Sequence, residues 1–494
     1  MKCRLVSQPS SFRFASCFAF LVLCLGAAAQ VIPTAPRLKV SPNHRWLQYS
    51  DGRPFFYLAD TSWHLFPNVT REQADLYLEN RAAKGFTVIQ ACVLNNVSEP
   101  NAYGEKPLID QNPEKPNENY FRQVDYIVNK AEALGLFIAM LPTWGNNWTR
   151  HGSNPSLLFN PGNARIYGRF LGNRYKTKPI IWILGGDEGI RTDEERAIIE
   201  SLSQGLREGD GGTHLISYHP RGPGRSSDYF PQNSILDFNM YQSSHGAHDH
   251  DNGLFAEHDY ALQPPKPTLD GEPRYETIPV GFYYPQSSKY DRFDDYDVRQ
   301  AAYWSVLAGA CGHTYGNNNI WQMWEPGRTP AISPNLFWYE SLDHPGAFQM
   351  GVLRRLFESR PFQKLVPDPA LVVNGPTSGG AKMRAARAED GTFAFLYSPR
   401  GESFTVDKTR LKATRLKEIW FDPRYGSSYD FHTTTAEGYQ TYVPPTSGRG
   451  QDWILILEDE DARFLAPNAY KLFTWAAPSD TRRSGPGSVN QPTR

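Results

Sequence analysis

From about residue 54 the chain repeats one unit: a short apolar run, a polar cluster carrying Gly, Asn or Trp, then an amphipathic helical stretch. Parallel strands cannot be joined by a tight turn and need a crossover, so this alternation restricts the chain to a parallel sheet with helical connections. Strands are expected at 55–59, 87–93, 137–141, 180–184, 214–218, 235–240, 267–269 and 312–315. Eight strands over this length predict an α/β fold, a closed (β/α)8 barrel occupying residues 35–365.

The helices between them carry their own boundaries. Thr70 with Gln73 forms a capping box, and Gly85 supplies a left-handed stop after Lys84. Phe121, Val124, Ile127, Ala131 and Leu134 recur at helical spacing before Gly135, and Thr192 with Glu195 repeats the capping box.

Beyond Phe362 the rhythm changes. Pro367 and Pro369 mark a boundary, after which short apolar runs such as 393–397 and 453–457 are separated by turn residues. This predicts a small all-β sandwich over 370–460 as an accessory domain. The stretch 477–494, rich in Ser, Gly, Pro and Arg, is expected to be disordered.

The first 29 residues stand apart: Lys2, Arg4 and Arg13 precede an apolar stretch, and Ala27-Ala28-Ala29 stands before Gln30. Basic residues, a short apolar core and a small-residue cleavage site make a secretory signal, so a secreted or periplasmic protein is expected. No later apolar run reaches the roughly 20 residues that span a bilayer, so no membrane attachment is expected after cleavage. Three of the five cysteines lie in this segment, and Cys92 and Cys311 sit in apolar runs that predict buried thiols. A formal net charge of -1 gives no field for steering toward nucleic acid, so no nucleic-acid partner is expected. Nothing in the sequence sets the oligomeric state.

In barrels of this class the active site lies at the C-terminal ends of the strands. The residues found there are Asp60 and Trp63, Trp144 and Asn146, Asp187 and Glu188, His219, Gln242, Glu272, and Tyr315, Asn317 and Trp321. Aromatic rings pack on the apolar face of a sugar while amides and carboxylates take its hydroxyls, so a poly- or oligosaccharide is the expected partner. The predicted substrate contacts are Asp60, Trp63, Trp144, Asn146, His219, Gln242, Tyr315, Asn317 and Trp321.

Glycosidic cleavage needs two carboxyl groups flanking the bond. Asp187 follows Gly185-Gly186 after the fourth strand, and Glu272 follows Asp270-Gly271 after the seventh. Spacing alone leaves Glu188 as an alternative to Asp187. The histidines are scattered over different loops with no H-x-x-x-H spacing, so no metal and no cofactor are expected.

The segments FFYLADTSWHLF, IIWILGGDEG, PTLDGEPRYE, AYWSVLAGACGHTYGNNNIW and WYESLDHPGAFQMGVLRRLFESRPFQKLVPDP resemble the apiosidase-like catalytic domain of glycoside hydrolase family 140. The smaller region resembles the collagen-binding-type β-sandwich that often follows it. The resemblance implies Asp187 as acid/base and Glu272 as nucleophile, with Glu276 of the same segment in reserve. It further implies a retaining, exo-acting enzyme on a plant or microbial polysaccharide, since known members remove apiose from pectic side chains. The alternative is a non-catalytic carbohydrate- or matrix-binding protein on the same barrel; its mark would be the loss of either carboxylate, and both are present.

Overall fold

The computed structural model describes residues 35–150, 157–231 and 235–475; the expected signal at 1–29 and tail at 477–494 lie outside them. The described residues belong to one compact unit. The barrel strands are β1 (Tyr57–Thr61), β2 (Val88–Leu94), β3 (Phe137–Thr143), β4 (Ile180–Gly185), β5 (Ile216–His219), β6 (Asn239–Gln242), β7 (Thr268–Asp270) and β8 (Gly312–Tyr315). Neighbours pair in parallel from β1 to β5 and, in the other direction, from β1 through β8 and β7 to β6. The seam between β5 and β6 is bridged by Asp237 N–H donating to the Ile216 carbonyl at 2.8 Å and Ser217 Oγ donating to the Phe238 carbonyl at 2.8 Å.

Every residue of the eight strands is buried. One face fills the barrel and the other meets helices, which is why the runs read as continuously apolar and not as alternating. Besides the single turn Leu65–Asn68, the helices are α1 (Arg71–Ala83), α2 (Glu118–Ala133), α3 (Pro161–Tyr175), α4 (Asp193–Asp210), α5 (Gly253–Ala261), α6 (Asp295–Leu307) and α7 (Pro345–Glu358). Both predicted capping boxes form, Thr70–Gln73 on α1 and Thr192–Glu195 on α4. Among the described residues the fifth crossover holds no α-helix, only the 3-10 turn Ser226–Asp228 and the two-residue strand Gly224–Arg225, which pairs antiparallel with β6.

The first strand begins later than its apolar run does. Phe55 pairs instead within a three-stranded antiparallel sheet with Leu47–Tyr49 and packs on Phe137, ring centroids 5.4 Å apart, beneath the N-terminal end of β3. The apolar run thus serves two elements, a floor and a barrel strand.

The region after the barrel forms two antiparallel sheets. One, of six strands, runs β9 (Leu365–Pro367), β11 (Arg384–Ala388), β12 (Phe393–Ser398), β17 (Trp453–Asp459), β14 (Arg415–Phe421), β15 (Ser428–Thr435). The other contains β10 (Val372–Asn374), β13 (Phe404–Asp407) and β16 (Tyr439–Tyr442). Strand alternation sends Ala394, Leu396, Leu455 and Leu457 to the core shared with Phe404, Val406 and Trp420. The intervening Phe393, Phe395, Tyr397, Ile454 and Ile456 join the core of the barrel. Tyr397 stacks on Tyr303 of α6 at 5.0 Å, and Phe395 meets Phe357 of α7 edge-on at 5.4 Å. Two buried ion pairs cross the same face, Arg299–Asp452 at 2.6 Å and Arg360–Glu458 at 2.5 Å. The central strands β12 and β17 are therefore buried on both faces, one of them against the barrel.

Candidate active site

The chain that leaves β4 turns through three successive left-handed residues, Gly185 (φ 91°), Gly186 (φ 93°) and Asp187 (φ 60°). Glycine is required at Gly186, where an added Cβ would press on Gly145 N, the Thr143 carbonyl and Trp144 Cα at 3.0 Å each. The same conformation is costly for an aspartate, and backbone strain of this kind gathers at functional sites. It sets Asp187 on the wall of a cavity of about 570 Å³ at the C-terminal mouth of the barrel, which Glu272 also lines. A volume of that size suits a small oligosaccharide or one sugar with its aglycone.

Glu272 stands two residues past the end of β7. His245 Nε2–H donates to its Oε1 at 3.1 Å, and His219 Nε2 lies 3.1 Å from its Oε2. The other nitrogen of His219, Nδ1, accepts the backbone N–H of Asp187 at 3.2 Å, which places the ring proton on Nε2, toward Glu272. Burial by itself would raise the Glu272 carboxyl, but the two imidazoles outweigh it and hold the group down at about 2. Asp187 has the reverse balance: burial first, then the neighbouring Glu272 charge, push its carboxyl up to about 7. Two carboxyl groups in one cavity thus hold different protonation states near neutral pH, the pattern that separates an acid from a base or nucleophile.

The two alternative carboxylates point elsewhere. Glu188 is engaged by Arg191 at 2.8 Å and does not line the cavity. Glu276 is buried, accepts from the Tyr315 hydroxyl at 2.5 Å and from the Gly346 N–H at 3.4 Å, and so serves the first turn of α7.

Of the predicted sugar contacts, Trp63, Trp144, Gln242 and Trp321 line the cavity. Trp63 and Trp144 lie 5.2 Å apart with planes at 60°, so they make two faces of a corner and not one platform. The other five are placed differently. Asp60 is fully buried below the cavity, paired with Arg81 at 2.5 Å and hydrogen-bonded by Tyr77 at 2.6 Å. Tyr315 is spent on Glu276, and Asn317 donates to His344 Nδ1 at 2.8 Å. Asn146 is exposed outside the cavity lining. His219 is fully buried and contacts the carboxylate in place of the cavity.

Sequence reasoning places His245 only among the scattered histidines without metal spacing, and passes over Tyr275 and the aromatic run Phe282, Tyr283, Tyr284; all of these line the cavity. The Tyr-Tyr pair between two apolar strands was a signal; His245 gave none, because its strained neighbour Ser244 (φ 72°) turns the chain where no glycine announces it. Among the described residues no three or more His, Cys, Asp or Glu side chains are gathered as a metal site would need. Cys92 and Cys311 are buried free thiols.

Residues 41–364 match the family model described as "Apiosidase-like, catalytic domain", and residues 366–458 match "Putative collagen-binding domain of a collagenase". A solved structure titled "Glycoside hydrolase" is 33% identical, with a TM-score of 0.80, covering 86% of this chain and 98% of its own. A glycoside hydrolase family 5 crystal structure from Bacteroides vulgatus ATCC 8482 is 30% identical, with a TM-score of 0.81, covering 89% of this chain and 96% of its own. No curated protein sequence matches the chain. With the first match spanning most of the chain, the protein belongs to the apiosidase-like catalytic-domain family and is a glycoside hydrolase.

Proposed function

We propose that the protein is an exported, retaining, exo-acting glycosidase of apiosidase type, acting on a plant or microbial polysaccharide without a cofactor. The observation that carries this reading is that Asp187 and Glu272 line one cavity beyond β4 and β7, with Glu272 held between His219 and His245. Burial and the Glu272 charge push the Asp187 carboxyl up while the imidazoles hold Glu272 down. Glu272, kept ionised by His219 and His245, attacks the anomeric carbon while protonated Asp187 gives its proton to the departing oxygen. The glycosyl–Glu272 ester then hydrolyses as Asp187, now ionised, takes a proton from the attacking water. Trp63, Trp144 and Trp321 supply apolar faces for the sugar ring. Removal of a terminal unit is what the apiosidase-like family model suggests, and a cavity of about 570 Å³ has room for it. Export rests on the basic and apolar character of residues 1–29.

The test is a screen of purified protein against pectic side-chain fragments and aryl glycosides, with proton NMR of the first sugar released. Retention of the anomeric configuration is expected; an inverted product overturns the nucleophile assignment. Glu272→Ala is expected to abolish turnover on every substrate, whereas Asp187→Ala keeps part of its rate on activated aryl glycosides, whose leaving groups need little acid help. Expression with the native leader is expected to give a mature chain beginning at Gln30 outside the cytoplasm.

A further inference from the structure

Residues 243–252 link β6 to α5 and have two sides. The inner side faces the catalytic cavity. Ser243 Oγ donates to Asp270 at 2.6 Å, Asn252 Nδ2 donates to the same Asp270 oxygen at 3.0 Å, and His245 holds Glu272 at 3.1 Å. Asp270 is the last residue of β7 and stands two positions before Glu272, so the segment braces both the end of that strand and the carboxylate beyond it.

The outer side is held by the sandwich. Asp251 accepts Arg384 at 2.6 Å through one oxygen and Lys382 at 2.7 Å through the other, while Arg384 also pairs with Glu257 of α5. Asp249 is paired with Arg400 at 3.0 Å. Arg384 and Asp251 retain only 5% and 15% of their side-chain exposure, so this contact is largely out of water. Gly380 of the sandwich has no room for a Cβ beside Asp249, and Gly253 has none beside the Arg384 guanidinium. The backbone at the junction is tied as well: Gln300 Nε2 donates to the Gly380 carbonyl and Trp304 Nε1 to the Lys382 carbonyl, each at 2.8 Å.

We propose that the sandwich is part of the catalytic apparatus: Lys382, Arg384 and Arg400 are positioning residues that fix residues 243–252 and, through His245, set the Glu272 carboxylate. The proposal rests on reading Glu272 as the nucleophile. A buried ion pair is a poor source of net stability but a stringent constraint on geometry, because losing one partner leaves the other charged and unsolvated. Catalytic groups lose rate steeply when displaced by about 1 Å. A domain that merely tethered the enzyme to its substrate would need no such contact with the loop that holds the nucleophile.

The test uses the full-length protein with Lys382→Met/Arg384→Met together, Arg384→Lys alone, Arg400→Gln, and Arg415→Ala as control. Arg415 pairs with Glu460 at 2.7 Å on the exposed sandwich surface. Hydrogen exchange by mass spectrometry, kcat, KM and Tm are measured on each. In the double variant the amides of 243–252 are expected to exchange at least about tenfold faster, with β4 protection unchanged, and kcat to fall about tenfold with KM within about threefold. Arg384→Lys is expected to recover most of the rate, and Arg415→Ala to match the wild type. Exchange of 243–252 at the wild-type rate, or faster exchange with unchanged kcat, overturns the proposal. If the double variant does not fold, the same two readouts on Arg400→Gln decide, in the same directions. A wild-type chain that cleaves no glycoside counts against the hydrolase reading alone, since the exchange comparison still decides the positioning claim.

Discussion

His219 stands 3.1 Å from Glu272, its Nε2 facing Oε2, while its other ring nitrogen accepts the backbone N–H of Asp187 at 3.2 Å. One imidazole therefore fixes the turn that carries Asp187 and turns its own ring N–H toward the Glu272 carboxylate. A hydrogen bond to a charged group contributes about 1.5–3 kcal/mol, so His219→Ala is expected to lower kcat/KM by about 10- to 100-fold. The alkaline fall of its pH profile is expected to shift upward as well, because a less screened Glu272 charge raises Asp187 further. Steady-state kinetics across pH measure both, and an unshifted profile with normal rates would refute the double role.

The pH dependence has a definite sign. As the proposed acid, Asp187 has to carry its proton, so activity is expected below its pKa and is lost as pH rises through about 7. Glu272 must be ionised, and at about 2 it remains so down to strongly acidic solution. The kcat/KM profile on a natural glycoside is expected to be broad on the acid side, with its single fall near neutrality. Asp187→Asn removes that fall along with most of the activity; a rate that climbs through pH 7 would exchange the roles of the two groups.

The order of strands and helices was legible because each barrel strand is buried on both faces and five of the seven helices, α1 to α4 and α6, carry a side-chain N-cap. Asp187 and Glu272 were legible because glycines frame them at strand ends. What the one-dimensional pattern does not carry is depth. Asp60, Tyr315 and Asn317 all follow apolar runs as the cavity residues do, yet each is turned toward a neighbouring element: Arg81 of α1, Glu276, and His344 before α7. Whether a polar residue at a strand end faces the mouth or the surrounding layer depends on partners more than 15 residues away in sequence, which no local spacing encodes.

Asp60 supplies the corresponding test. Its partner Arg81 is fully buried, so Asp60→Asn strands a guanidinium without a counter-charge and is expected to lower stability by about 3–5 kcal/mol. KM should stay within about twofold of the wild type, because the side chain does not line the cavity. Denaturant unfolding with parallel kinetics measures this. A large rise in KM without loss of stability would return Asp60 to the sugar-binding set.

Asp187 itself is held at a cost that can be recovered. Its φ of 60° lies in the left-handed region, which asparagine tolerates at least as well as aspartate, and its ionised form is opposed by burial and by Glu272. A carboxyl whose folded pKa is raised binds its proton more tightly in the native state. The folded chain therefore loses stability as pH climbs from the unfolded value near 3.8 toward about 7, and the loss stays complete above that. Asp187→Asn has no such proton to lose. Its Tm is expected to exceed that of the wild type by about 2–4 °C at pH 8 and to converge with it near pH 4, as each kcal/mol moves Tm by a few degrees. Scanning calorimetry of both proteins at the two pH values measures the difference, and a variant less stable than the wild type at pH 8 would show that ionised Asp187 is stabilised by contacts that outweigh its burial.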